Sequence, residues 1–198
     1  MISGMMKMNK ILLSIIISFL VATIVHADSV ETGALNEVMK QLANVKQSNS
    51  EFIETKSISL LDNEIKLSGL LEYTAPNSFI KQTLKPNHEL FKVTGNALHI
   101  KNADGEESDL LVSNYPAIEM FVVAYQGILS GDLKKLTEFY KVTFKGNSKH
   151  WNISLFPIED DALEYIEMIT VEGQGAIISK IITLESSGDK SIMLIINK

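Results

Sequence analysis

With 198 residues, a net charge of −6, no cysteine and no arginine, this chain is built without disulfides and without a guanidinium fork for phosphate or carboxylate. An acidic balance of that size argues against nucleic acid and against anionic membrane surfaces as partners. Hydrophobic residues make up 45% of the chain, enough for one real core.

The first segment reads as a leader rather than as part of a fold. Lys7 and Lys10 precede the uncharged apolar run ILLSIIISFLVATIV, and Val25 and Ala27 occupy the small-residue positions of a cleavage site. The run is short for a membrane-spanning helix, which needs about 20 apolar residues. Residues 1–27 are therefore expected to be a cleavable signal peptide that sends the protein to the periplasm, with residues 28–198 forming one domain. Losing the leader removes two lysines and takes the net charge from −6 to −8. With no cysteine behind the cut, no lipid can be attached to an N-terminal thiol.

The next stretch, GALNEVMKQLANVKQ at 33–47, places Leu35, Val38, Met39, Leu42 and Val45 on one helical stripe. From Glu51 the period changes to two. EFIETKSISLL and EIKLSGLLEYT flank Asp62 and Asn63, a hairpin signal. In the second of these strands Ile65, Leu67, Leu71 and Tyr73 share a face with Gly69, while Lys66, Ser68 and Glu72 point the other way. SFIKQTLK, ELFKVT and ALHIKN follow as strands, and LLV at 110–112 as a short one.

The middle is different. Pro116 opens a segment in which Glu119 is the only charge as far as Leu129, so the helix it forms must be buried or must cover something apolar. Gly131 and Asp132 end it and cap a second helix running through Phe139. Strands YKVTFKG and HWNISLFP, an acidic turn at 158–165 and a three-strand meander complete the chain. AIISKIITL and SIMLIIN are apolar on both parities, so little water is expected on either face there. Together these elements predict an α+β, mainly β fold: a strongly curved antiparallel sheet of about 9–11 strands with helices lodged on its concave side.

Candidate chemistry is sparse. His88, His99 and His150 stand at strand edges without the spacing of a metal site. Glu159, Asp160 and Asp161 precede a helical turn, where carboxylates suit the N-terminus. NADGEESD lacks the ligand spacing of a calcium loop. There is no G-x-S-x-G motif, phosphate loop or dinucleotide fingerprint. No catalytic residue, metal or cofactor is expected, and a lipid hydrolase is the least supported class.

Several blocks in order carry a resemblance. They are the opening helix with FIETKSI at 52–58, then SGLLEYTAPNSF, LFKVTGNALHI at 90–100 and ILSGD at 128–132, closing with LFPIEDDALEYIEMITVEGQGAIISKIITLESSGDKSIMLI. In order and spacing the chain resembles a divergent branch of the LolA family of periplasmic outer-membrane lipoprotein carriers. SGLLEYTAPNSF is similar to that family's G-x-L-x-x-x-R-P-x-x-F block. The resemblance implies an unclosed antiparallel β-barrel with helices plugging its concave face, and a non-enzymatic carrier that shields acyl chains in a hydrophobic cavity, taking a lipoprotein from an inner-membrane transporter to an outer-membrane acceptor as a monomer. Glycolipid or pigment-lipid cargo is the alternative, and a module that senses lipoproteins and regulates a partner is another.

The cavity wall is then expected from Leu67, Leu71, Tyr73, Phe79 and Phe91, and the lid from Phe121, Val122 and Tyr125. One departure stands out. The family's arginine before the proline, which hydrogen-bonds the lid helices, corresponds to Ala75, and Lys81 lies near the position of the family's tryptophan. Phe79 matches the family's phenylalanine.

Overall fold

The computed structural model describes residues 27–61 and 63–197. Except for Ala27, the expected signal peptide lies outside the described residues. The chain opens with helix α1 (Ala27–Ala43). Its stripe of Leu35, Val38, Met39 and Leu42 is buried in the main core. The helix stops earlier than its sequence pattern suggests: Asn44 and Val45 turn back onto the Gln41 and Leu42 carbonyls, and Gln47 already belongs to a strand.

Eleven strands follow: β1 (Gln47–Ser57), β2 (Ile65–Thr74), β3 (Ser78–Lys85), β4 (Glu89–Thr94), β5 (Ala97–Lys101), β6 (Glu107–Leu111), β7 (Tyr140–Gly146), β8 (Trp151–Pro157), β9 (Ile166–Gln174), β10 (Ile177–Glu185) and β11 (Lys190–Asn197). They form one sheet in the order β6-β5-β4-β3-β2-β1-β11-β10-β9-β8-β7. All its pairings are antiparallel. β6 and β7 stand at the two ends and do not meet, so the expected unclosed, curved sheet is the architecture found. Between β6 and β7 lie a 3-10 turn (Val112–Asn114), α2 (Pro116–Ser130) and α3 (Leu133–Phe139), and α4 (Asp160–Leu163) joins β8 to β9.

Three local expectations are corrected. The link between β1 and β2 is no tight hairpin, because β1 ends at Ser57 and a loop runs to Glu64. Ser59 anchors that loop, its N–H and hydroxyl both donating to Asp189 Oδ1 at 2.8 Å. β6 ends at Leu111, and Val112 turns into the 3-10 segment as its N–H donates to the Asn96 carbonyl. The third concerns the closing strands. Ile177, Leu194 and Ile196 are exposed although their segments read as apolar on both faces, and Ile53 joins Leu194 across the β1–β11 pair. Parity does decide which residues enter the core, with Ile181 and Met193 paired and buried.

Helices occupy the concave side. The larger core packs α1, α2 and α3 against the inner faces of β7–β11 and β1, around Leu136, Ile153, Leu155 and Ile169. A smaller cluster of Tyr73, Phe79, Val93, Leu98, Val112 and Val122 joins α2 to the other half of the sheet. Most of α2 from Met120 to Ile128 is buried, as its near-lack of charge requires. Tyr140, the first residue of β7, is tied to α2 by donating its hydroxyl to the Met120 carbonyl at 2.7 Å. Burial pushes that phenol's pKa well above its ordinary value.

Candidate functional site: a cavity between sheet and helix

Between the two cores the sheet stands away from α2 and leaves a cavity of about 1130 Å³. Small-molecule pockets commonly span about 300–1,000 Å³, so this one is large for a chain of its size. The register explains the wall. Tyr73 faces Phe79, which faces Val93, and Leu71 faces Lys81, which faces Phe91. Residues opposite one another in a ladder share a face, so these rows all point inward.

Six of the eight expected residues line this cavity: Leu71, Tyr73, Phe79, Phe91, Phe121 and Tyr125. The structure places the other two elsewhere. Leu67 packs against the main core, beyond the cavity's end, and Val122 is turned into the smaller cluster. On α2 successive residues point about 100° apart, so Phe121 and Tyr125, four apart, reach the cavity together while Val122 cannot. Wall and lid are in contact: the Phe79 and Tyr125 rings lie 5.6 Å apart between centroids, and Phe79 and Phe91 6.1 Å. Burial, with a smaller push from the nearby Glu54 carboxylate, drives the Tyr125 phenol's pKa far up, so it is neutral at any physiological pH.

Four polar residues went unread in the sequence. Glu54 is only 3% exposed, on the inward face of β1 between Phe52 and Lys56. It is ion-paired with Lys81 of β3, whose ammonium lies 5.1 Å from the Phe52 ring centroid. Ser191 of β11 donates its hydroxyl to Glu54 Oε1 at 2.6 Å. Desolvation alone would raise the Glu54 pKa, but the Lys81 charge and the hydrogen bonds from Lys81 and Ser191 outweigh it and hold the carboxyl below its ordinary range. The signal was available: in FIETK and FIKQT an acid and a lysine keep the parity of the adjacent phenylalanine. Gly69 of β2 lies opposite Phe52 and beside a bulge in β3, where a Cβ would collide with the Gln82 carbonyl and touch the Phe52 ring at 3.0 Å.

The fourth is Gln126 on α2, 4% exposed. Its side-chain amide donates to the Asn77 and Gly95 carbonyls at 3.1 and 2.9 Å, in the β2–β3 and β4–β5 turns. Its own oxygen accepts from Lys135 Nζ at 2.7 Å. Where the family resemblance expects an arginine to link lid and sheet, Ala75 donates only its backbone N–H, to the Lys46 carbonyl, and Gln126 makes the link from the helix side. Gln126→Leu should cost about 2 kcal/mol, because it removes the hydrogen bonds that the Asn77 and Gly95 carbonyls accept from the helix and the acceptor of the Lys135 ammonium. The checks are a lower urea midpoint and faster amide exchange along α2.

Comparison with solved structures gives the following. A LolA superfamily protein from Nitrosomonas europaea aligns at 10% identity over 86% of this chain and 91% of its own, with a TM-score of 0.43. A DUF1329 family protein from Desulfovibrio piger aligns at 8% identity over 84% and 91%, with a TM-score of 0.48. A putative outer membrane lipoprotein-sorting protein domain from Vibrio parahaemolyticus aligns at 8% identity over 83% and 91%, with a TM-score of 0.47. No curated protein matches. The family model described as outer membrane lipoprotein carrier protein LolA-like matches residues 26–196, nearly the whole chain, and the protein belongs to that family.

Proposed function

We propose that this protein is a non-enzymatic periplasmic carrier. Residues 28–198 shield the acyl chains of a lipoprotein or lipid in the cavity between sheet and α2 while the cargo moves from the inner to the outer membrane. The observation that carries this reading is the cavity itself: a wide space left inside a chain with ample apolar side chains to fill it. Cores ordinarily close to crystal-like density, whereas this cleft, partly open to solvent, keeps apolar lining residues from making those contacts. Family membership supports a role in lipid or lipoprotein binding.

The energetics set the size such a space must have. Each methylene kept from water contributes about 0.8 kcal/mol, so a chain of about 15 methylenes carries on the order of 12 kcal/mol. No sheltered route through water exists unless a comparable apolar surface receives it. Leu71, Phe79 and Phe91 form the wall of that surface, and Phe121 and Tyr125 its cover.

Native mass spectrometry of protein purified from a periplasm, followed by lipid extraction, should find an acyl-bearing molecule bound one to one. Leu71→Glu and Phe121→Glu each place a carboxylate where a tail would lie, at a cost of several kcal/mol. Each variant should retain its circular dichroism spectrum and lose the bound lipid by at least two orders of magnitude in affinity. Folded variants that still hold lipid normally would refute the assignment of wall and lid.

A further inference from the structure

Polar residues border the cavity in several places, Gln47, Ser48, Asn49 and Ser50 of β1 among them, and one belt of them surrounds the buried Glu54. In this belt Lys56, Glu54, Lys81, Ser191, Thr83 and Thr183 all face the cavity. Five of these are placed by the register: Lys56 lies opposite Ser191 across the β1–β11 pair, and Ser191 opposite Thr183 across the β10–β11 pair, while Thr83 follows Lys81 at the next inward position of β3. The two threonines are buried.

Stability does not account for this belt. Apolar residues of similar volume serve as well as a buried ion pair, and the rest of the wall shows that this chain uses them freely. The balance of donors and acceptors is more informative. The Glu54 oxygens are already engaged by Lys81 and Ser191. A lysine ammonium has three N–H donors and no acceptor. Among the described residues Lys81 has one hydrogen bond, to Glu54, and Lys56 stands 3.9 Å from Glu54 Oε1, an ion-pair distance too long for a hydrogen bond. The Lys81 side chain is 25% exposed and that of Lys56 43%, so both ammonium groups can be reached from the cavity. Glu89 and Glu185 also border the space, but Glu89 is exposed and Glu185 half-exposed, where water and salt screen them. The belt therefore offers donors and has spent its buried acceptor.

We propose that this belt is a head-group subsite. The cavity takes an amphiphile whose head carries anionic oxygens, a carboxylate or a phosphate, held by Lys81 and Lys56, with its chains lying against Leu71, Phe91, Phe121 and Tyr125. The proposal rests on the reading of the cavity as an acyl-chain site and names the class of ligand that site prefers. Neither the family pattern at Ala75 nor the apolar parity of the strands contains this selectivity; it comes from the side chains of β1 and β3.

The test is a titration of the purified protein with four sixteen-carbon probes: hexadecanoate, hexadecyl phosphate, hexadecanol and hexadecyltrimethylammonium. The two anions should bind at least tenfold more tightly than hexadecanol, and the cation most weakly. A lead for hexadecyl phosphate assigns a phospholipid-like source for the head, and a lead for hexadecanoate a free fatty acid. Lys56→Met should cut the anionic advantage by about threefold. Lys81→Met leaves Glu54 buried without its partner, so it is combined with Glu54→Leu, and Lys56→Met is added to that pair; in the triple variant the anions should bind no better than hexadecanol. Equal affinity of anion and alcohol for the native protein, or an anionic advantage that survives in the triple variant, overturns the subsite. If none of the four probes binds, the acyl-chain reading falls and takes the subsite with it.

Discussion

Glu54→Leu or Lys81→Met alone should destabilise the protein by about 3–5 kcal/mol, and the two together should recover most of that loss. Each single change strands one charge inside the wall, where Glu54 is 3% exposed and its partner crosses the Phe52 ring to reach it. Removing both leaves leucine and methionine in an apolar setting they suit. Urea unfolding of the native protein, both single variants and the double variant yields the coupling directly, and a double variant as unstable as the singles would show that the pair is not isolated. Acid should reveal the same pair. The Glu54 carboxyl is held below its ordinary value of 4.5, so its contribution is complete above that pH and disappears as pH falls through the lowered folded-state value. The native protein should lose stability below about pH 4.5 more steeply than the double variant does.

Gly131→Val should cost about 4 kcal/mol, combining backbone strain with a steric collision. Gly131 ends α2 at φ 67°, and the next N–H, of Asp132, closes the end by donating to the Gly127 carbonyl at 2.9 Å. The C-terminal turn of α1 is pressed against this corner: a Cβ there would collide with the Met39 carbonyl and lie 2.7 Å from the Ala43 nitrogen. For a chain of this length the loss amounts to roughly 10 °C in Tm. Gly131→Asn separates the two causes, because asparagine tolerates the left-handed backbone and still brings the colliding Cβ. It should lose somewhat less than valine and remain clearly destabilised; an asparagine variant as stable as the native protein would remove the collision from the account.

Much of the architecture was legible because it rests on local rules. Period-two stretches between turn residues located the strands, and the lone charge from Pro116 to Leu129 announced a buried helix. The boundaries that slipped did so where tertiary contacts decide. β1 stops at Ser57 because Ser59 is drawn to Asp189, a residue 130 positions away. Within the site, parity put Leu71, Tyr73, Phe79 and Phe91 on the inward face but also offered Leu67, which packs on the main core, and on α2 the inward-facing flank decides which residues reach the cavity. Phe121 and Tyr125 do; Val122 does not. The Glu54–Lys81 pair was harder to foresee. Each residue alternates correctly with a phenylalanine, but only the β1–β2–β3 register, with Gly69 between the two strands, shows that their side chains meet. Gln126 was hidden for the opposite reason, since one amide in an apolar helix looks like a solvent-facing residue until the turns at Asn77 and Gly95 are folded against it.

The missing seam between β6 and β7 has a mechanical consequence. A closed barrel has its girth fixed by strand number and shear. A sheet with two free margins can change calibre by coiling more or less tightly, sliding no ladder and breaking no main-chain bond. The space between sheet and α2 can thus widen or narrow by an elastic bend of the whole arch.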